Sequence, residues 1–201
     1  MMRRYSKVTA IVVLAVACLG GSPRANAAPD PVAFVTALGT QAIQVLGPQV
    51  SEERRLAQFR ELFRDDFDVP RIGAFVLGRY WRIATPQERQ EFLRLFQEYI
   101  VQAYSARLGQ YAGQPFRVLG SRPAGDEIIV RSQVVRNDGS AVTVDWYLVN
   151  DGGRLKITDV YVGGVSMKVT ERDEFGAIIQ RNGGRIEPLL AALRQKVGAA
   201  N

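Results

Sequence analysis

Residues 127–162 read EIIVRSQVVRNDGSAVTVDWYLVNDGGRLKITDVYV, and apolar side chains alternate with polar ones along three runs of this stretch. The runs are Glu127–Val135, Ala141–Val149 and Leu155–Val162. Asn137–Gly139 and Asn150–Gly153 separate them, and such Asn/Asp–Gly sequences favour the tight turns of β-hairpins. The stretch therefore predicts three consecutive antiparallel strands, and Phe116–Gly120 is a candidate for a fourth.

The middle run has the clearest two-residue period. Its alternate positions carry the apolar side chains Val142, Val144, Trp146 and Leu148. Successive side chains of a strand point to opposite faces of a sheet, so these four share one face. The pattern predicts a broad apolar surface with a central tryptophan that packs against helices.

The sequence before the strands changes to a helical period. Apolar side chains recur three or four residues apart at Leu56, Phe59, Phe63 and Phe67. This spacing predicts an amphipathic helix that starts at Ser51. Pro70–Trp81 has few polar positions, so we expect a helix that is buried on most sides. Thr85–Glu88 reads Thr-Pro-Gln-Glu, a capping box with proline in the first turn, and it predicts a long helix to about Gln110.

Two further helices are predicted after the strands, over Thr170–Arg181 and Ile186–Val197. Helices, then an antiparallel meander, then closing helices describe an α+β domain whose curled sheet of about four strands wraps around one helical layer. Such a layout can be solid, or it can leave a gap in its middle. Periodicity does not distinguish the two, because the same aromatic side chains suit a filled core and a cavity wall. Those side chains are Tyr80, Trp81, Phe96, Tyr104 and Trp146.

The first residues have the pattern of a cleaved secretory signal. A basic start is followed by the apolar run Val8–Leu19 and by Ala25–Ala27, which fits the small-x-small cleavage rule. We therefore predict a signal peptide over 1–27 and a single mature domain over 28–201, exported by general secretion. A twin-arginine address at Arg3-Arg4 and lipidation of Cys18 are weaker alternatives.

Composition restricts the chemistry of the mature domain. The chain has no histidine, and its single cysteine, Cys18, lies in the predicted signal. Imidazole or thiolate catalysis and transition-metal sites with these ligands are thereby excluded from the mature domain. Removal of residues 1–27 leaves 22 basic and 20 acidic residues, a formal net charge of +2 instead of +6. Such a balance does not suit a nucleic-acid binder.

Carboxylate chemistry remains as an enzymatic alternative. A carboxyl group in an apolar cavity can have a raised pKa and act as an acid or a base. Asp145 and Asp159 are the candidates, because both lie in predicted strands. Alternation turns Asp145 away from the Trp146 face. Asp159 is in register with Leu155, Ile157 and Tyr161, which would face it inward, but a position near a strand end with hydrogen bonds is the favoured alternative.

Several short motifs follow one another along the chain in a recognisable order and spacing. They are Phe75–Trp81, Ala84–Arg89, Tyr99–Tyr104 with Tyr111, Gly164–Met167 and Asp173–Phe175. Together they resemble the MlaC or toluene-tolerance family of periplasmic lipid carriers. The resemblance covers Val32–Val197, nearly the whole predicted mature chain.

This resemblance implies an NTF2-like cone with an apolar cavity between sheet and helices. It implies a lipid carrier and not an enzyme, and it implies no metal or cofactor. Such a carrier holds the acyl chains of a phospholipid and leaves the head group near solvent. It also implies partners: an outer-membrane lipoprotein complex and an inner-membrane ABC transporter with an MCE-domain ring, between which a monomer moves lipid across the periplasm. Hopanoid-associated relatives resemble the same family, so a polycyclic lipid is an alternative cargo.

The candidate lining of this cavity follows from the matched motifs and from the inward face of the middle strand. It comprises Val76, Leu77, Tyr80, Phe96, Tyr99, Ile100, Tyr104, Val144, Trp146, Val165 and Met167. Arg79, Arg82 and Lys168 lie beside these segments and are candidates for attracting a phosphate head group or an acidic partner, although an isolated cation is more often simply solvated.

Overall fold

The computed structural model describes residues 29–45, 50–109 and 113–198. The predicted signal peptide and its cleavage site lie outside these residues, as does Tyr111 of the family motifs. Within the described ranges, no helix has both the length and the apolar character needed to cross a membrane.

Helices and strands follow one another in the predicted order, and the α+β class is confirmed. In the part of the chain that the structure describes, five helices come first, at α1 Pro31–Val45, α2 Glu52–Asp66, α3 Val69–Leu77, α4 Arg79–Ile83 and α5 Pro86–Gly109. The strands are β1 Phe116–Ala124, β2 Glu127–Val135, β3 Ala141–Asp151, β4 Arg154–Val162 and β5 Val165–Ser166. The closing helices are α6 Met167–Arg181 and α7 Glu187–Gly198.

The sheet is an antiparallel meander in the order β1-β2-β3-β4-β5. It has one strand more than the sequence predicts, because the chain adds a two-residue strand, β5, before it enters α6. The candidate fourth strand, β1, also continues to Ala124 through an irregularity between Val118 and Gly120. Strand irregularities of this kind bend a sheet and increase its twist.

A second irregularity lies in β4 and changes which side chains face the helices. Tyr147 pairs with Asp159 but Leu148 pairs with Ile157, so Thr158 is an extra residue in β4. On its C-terminal side Val160 lies opposite Trp146, whereas Tyr161 stacks on Tyr147 on the other face, with ring centroids 4.7 Å apart. The expectation that Tyr161 shares the inward face of Leu155 and Ile157 was therefore wrong, because the bulge reverses the alternation.

Helix starts follow their capping residues. Thr85 and Glu88 form the predicted capping box: Thr85 Oγ1 accepts from the Glu88 N–H at 3.2 Å, and Glu88 Oε2 accepts from the Thr85 N–H at 2.8 Å. Ser51 caps α2 by accepting the N–H of Arg54. Because these signals are local, the starts of α2 and α5 agree with the sequence prediction.

The single helix predicted over Pro70–Trp81 is divided at Gly78. Gly78 has φ 55° and ψ −124°, a backbone conformation that residues with a Cβ rarely adopt, and α3 ends there before α4 begins. Helix α1 was not predicted. It packs on the sheet through Gly39, where an added Cβ would lie only 2.2 Å from Cε1 of Phe116.

Helix α5 is the centre of the helical layer. It packs against α7 and α3, and also against α2, which contacts the sheet as well. Helix α6 packs on α3 and returns along β4. The helical layer therefore contacts the sheet through α1, α2, α3 and α6, and α5 packs on α2, α3 and α7.

An apolar cavity between helices and sheet

A cavity lies between α1, α2 and α5 on one side and β3, β4 and the start of α6 on the other. Its volume is about 200 Å³, and the empty space including the open mouth is about 950 Å³. Its helical wall is formed by Leu38, Ala42, Phe59, Leu62, Phe63, Phe67, Ile72, Phe96, Ile100 and Tyr104. Its remaining wall is formed by Trp146, Thr158, Asp159, Val160, Val162, Met167, Lys168 and Glu171. Nearly all of the surface that these residues turn to the cavity is carbon.

Trp146 and Tyr104 of the wall use their polar atoms in hydrogen bonds within the protein. The indole Nε1 of Trp146 donates to Oγ of Ser132 at 2.9 Å, and Ser132 is fully buried. The hydroxyl of Tyr104 donates to Oε1 of Glu171 at 3.0 Å. A buried polar group that has a partner costs little, so the wall can contain these residues and still offer an apolar interior.

Asp159 joins β4 to the start of α6. Its side chain is buried, and Oδ1 accepts the N–H groups of Val160 at 2.8 Å and Lys168 at 3.1 Å. Oδ2 accepts the hydroxyl of Ser166 at 2.6 Å, and the same hydroxyl accepts the N–H of Val169 as the cap of α6. The carboxylate thus has three donors that fix it in place, as expected of a structural group.

A sequence model of the family described as "MlaC protein" matches residues 38–195, most of the chain. The chain belongs to the MlaC family. This confirms the family that the sequence motifs indicated.

Two curated relatives were found in the MlaC family. The chain is 30% identical over 123 residues to "Toluene tolerance protein ttg2D" of Pseudomonas putida, a match to 61% of this chain and 57% of that protein. It is 27% identical over 128 residues to "Intermembrane phospholipid transport system binding protein MlaC" of Haemophilus influenzae, matching 61% of this chain and 59% of that protein. These matches therefore span somewhat under two thirds of either relative.

A solved structure has the same fold. It is the phospholipid-binding protein from Ralstonia solanacearum in complex with a phospholipid, with a TM-score of 0.72 and 22% sequence identity. The match covers 85% of this chain and 98% of that chain. The likeness therefore extends over both layers of the MlaC fold.

Five of the eleven candidate lining residues lie in the cavity wall. They are Phe96, Ile100, Tyr104, Trp146 and Met167. They come from α5, β3 and the first residue of α6, so three separate sequence motifs meet at one space.

The other six candidates lie elsewhere. Val76, Leu77, Tyr80 and Val144 are buried in the core. Tyr99 faces the closing helices, where its ring lies 5.6 Å from that of Phe175, and Val165 is 56% exposed on β5. Tyr99 is next to Ile100 in the sequence but points to another side of α5, so proximity in the sequence misplaced it.

Sequence reasoning missed the contribution of α1 and α2 to the wall. Leu38 and Ala42 belong to the helix that was not predicted, and Phe59, Leu62, Phe63 and Phe67 come from α2 and its end. The stripe of phenylalanines on α2 was visible in the sequence as a buried face. Nothing in that stripe indicated that the face borders a cavity and not a solid core.

The three candidate cations separate into two places. Lys168 forms part of the cavity wall, whereas Arg79 and Arg82 line a shallow surface depression with Ile83 and Gly183–Gly184. Arg79 donates to the hydroxyl of Tyr80 at 2.8 Å. Of the three, only Lys168 is placed to act on something inside the cavity.

Asp145 lies on the opposite face of the sheet, as alternation predicts. Arg131 donates to both of its carboxylate oxygens, at 2.7 and 2.9 Å. These hydrogen bonds lower the pKa of Asp145, so the group stays ionised at neutral pH. A permanently ionised, paired carboxylate away from the cavity does not suit acid–base catalysis there.

Proposed function

We propose that the protein is a lipid carrier that holds the acyl chains of a phospholipid in the cavity between helices and sheet. The observation that carries this proposal is an open space of about 950 Å³ with an almost entirely carbon surface. Such a space suits long apolar chains, which need burial but no directional contacts.

Transfer free energies explain why such a carrier is needed. Each buried CH₂ is worth about 0.8 kcal/mol, so about 30 methylenes of two acyl chains cost on the order of 20 kcal/mol in water. Release of a lipid from a membrane is therefore extremely slow without help. A cavity that offers comparable burial through nonspecific contacts lowers this cost and still allows release.

The proposal includes a location and a route. We place the mature protein in the periplasm as a monomer, where it moves lipid between the outer membrane, with its lipoprotein complex, and an inner-membrane ABC transporter with an MCE-domain ring. The predicted signal peptide supports export. The names of the two curated relatives, one an intermembrane phospholipid transport binding protein and the other a toluene tolerance protein, support the route.

We propose binding and not catalysis. Asp159 is a carboxylate of the cavity wall. It accepts hydrogen bonds from Ser166 and from two backbone N–H groups, so its role is structural. A hopanoid or another polycyclic lipid is the second candidate cargo, because a carbon surface selects for apolarity and not for chain shape.

Native mass spectrometry of the protein purified from its own compartment, followed by lipid extraction, tests this proposal. We expect a bound mass of phospholipid size, and a hopanoid mass would select the second cargo. A protein that is reproducibly empty and takes up no added phospholipid would refute the carrier function.

A pair of adjacent substitutions in β4 provides a matched control. Val160→Lys places a cation in the carbon wall and should abolish lipid binding, because the charge brings water into the cavity. Tyr161→Lys places the same charge one residue away on the outer face and should retain binding. Circular dichroism of both variants would establish that each is folded.

A further inference from the structure

Among the described residues, the cavity wall has one cationic side chain, Lys168 in the first turn of α6. Its side chain is 20% exposed, so the ammonium group lies between the apolar interior and solvent. A carbon-lined interior cannot hold a phosphate group without a large desolvation cost, so the polar part of a bound lipid must stop where the wall becomes polar. Lys168 lies at such a polar position in the wall.

A second cation lies beside Lys168. Nζ of Lys168 is 4.8 Å from the ring centroid of Phe75, and Cζ of Arg172, one turn later in α6, is 4.9 Å from the same centroid. The guanidinium group rests against Gly78, where an added Cβ would lie 3.2–3.3 Å from its atoms. Two consecutive turns of α6 therefore each place a cation within 5 Å of the centre of the Phe75 ring.

The hydrogen-bond donors of both cations are unused among the described residues. Nζ of Lys168 is 4.0 Å from Oδ2 of Asp159, which is too long for a hydrogen bond, and Asp159 already has its three donors. Arg172 forms no hydrogen bond or ion pair with any residue that the structure describes. An anion with several oxygens could accept hydrogen bonds from the side chains of both cations beside this ring.

We infer that Lys168 and Arg172 bind the phosphate group of the lipid whose acyl chains occupy the cavity. This inference rests on the proposed carrier function and adds a head-group site to it. Arginine offers a planar fork of donors and lysine a compact point charge, a combination that suits the oxygens of a phosphodiester. Lys168 belongs to both the wall and the cation pair, so chains and phosphate can be bound at once.

The test compares two lipids that share their acyl chains. Dioleoyl phosphatidylglycerol and dioleoylglycerol are offered together to the lipid-free protein, and the bound ratio is read by native mass spectrometry. We expect the wild type to prefer the phospholipid by about tenfold, as two partly exposed ion pairs would give. The double variant Lys168→Met, Arg172→Gln should lose this preference and keep its binding of dioleoylglycerol.

Lys196→Met is the matched control. Lys196 also lies over an aromatic ring, 4.9 Å from the centroid of Tyr99, but it is not part of the cavity wall. This variant should keep the wild-type preference. A third arm adds inorganic phosphate and follows it by phosphorus NMR, since the same cations could bind the free anion.

The outcomes separate the two proposals. A wild type that binds both lipids equally, or a double variant that keeps the preference, would overturn the head-group site and leave the carrier function standing. Inorganic phosphate that binds to the wild type together with dioleoylglycerol, without any preference for the phospholipid, would assign the pair to a free anion and overturn the site as well. A wild type that binds neither lipid would overturn both proposals.

Discussion

The two sides of α5 contain the same kinds of side chain but differ in what those side chains contact. On the side of α6 and α7, Phe92 and Phe96 meet Phe175 edge to face, with ring centroids 6.1 and 6.2 Å apart, and all three rings are at most 2% exposed. On the side of α2 and the sheet, phenylalanine, isoleucine and tryptophan side chains face the empty space of the cavity. We call these two regions the packed side and the open side.

The difference comes from the neighbours of α5 and not from α5 itself. Helix α7 lies along the packed side, whereas on the open side the cavity lies between α2 and the strands β3 and β4. Phe96 belongs to both regions, because it contacts Phe175 and also lines the cavity. An apolar side chain is therefore a core residue or a binding residue according to the distance of the opposite wall.

The largest expected effect is a difference in stability between two phenylalanine truncations. Phe175→Ala on the packed side should lower the free energy of unfolding by about 3–5 kcal/mol, because it removes contacts in all directions and leaves a void. Phe67→Ala on the open side should cost no more than about half as much, because part of this ring already faces empty space. Urea unfolding of the lipid-free protein measures both, and equal losses would show that the cavity is closed in solution.

A second test enlarges side chains on one helix, α1. Gly39→Ala adds a single methyl group that must displace the ring of Phe116, so we expect a loss of about 1–3 kcal/mol. Ala42→Phe adds a whole ring, but it does so in the cavity wall, and stability should change by less than about 1 kcal/mol. Thermal unfolding gives both values. If Ala42→Phe lowers the stability more than Gly39→Ala does, the volume of the cavity in solution is smaller than in the structure.

A third test concerns the junction between the two sides, where β4 passes into α6. Ser166→Ala removes the cap of α6 and a hydrogen bond to Asp159, and we expect a loss of about 1–2 kcal/mol. Ser51→Ala removes an exposed cap of α2 whose hydrogen bond is 3.4 Å long, so the loss should be about 0.5 kcal/mol. Chemical denaturation compares them. A larger loss of stability for Ser51→Ala than for Ser166→Ala would mean that the junction contributes less stability than its hydrogen bonds indicate.

The smallest effect is expected on the outer face of the sheet, which lies opposite the cavity. Arg131 lowers the pKa of Asp145, so their interaction stabilises the fold above the ordinary aspartate pKa of about 3.9 and is lost as the pH falls through the lowered value. The stability difference between wild type and Asp145→Asn should therefore be present at pH 7 and shrink at pH 3. Urea midpoints at both values measure it, and a difference independent of pH would contradict an ionic origin. The side chain of Arg131 is 53% exposed, which keeps the effect small.

Local signals in the sequence were sufficient for most of the elements. The capping box at Thr85, the Asn/Asp–Gly turns and the two-residue period of β3 each act over a few residues, and the structure has the predicted helix, hairpins and strand there. Gly78 and α1 were missed for different reasons. An isolated glycine in a sequence does not indicate whether its φ is positive. Helix α1 is stabilised by its contact with the sheet, and its sequence has no strong hydrophobic period of its own.

The cavity wall was harder to predict than the fold. Trp146 was placed correctly on the inward face because strand alternation is regular up to that point, and Ile100 because it continues the apolar stripe of α5. Val76 and Leu77 were misplaced into the cavity because their helix buries its sides against α5 and α6. Which buried side chains border empty space depends on the separation of the walls, and that separation is a property of the whole sheet and not of any motif.

The bulge in β4, and not the sequence alone, determines which side chains of this strand face the cavity. If β4 kept Thr158 but paired with β3 without a bulge, strict alternation would turn Tyr161 inward in place of Val160 and Val162. Deletion of Thr158 would remove only the extra residue, so Val160 and Val162 would keep their inward positions. Among homologous chains, loss of this residue should consequently be more frequent than loss of Val160, which would turn Tyr161 inward, and gene comparisons can examine this directly.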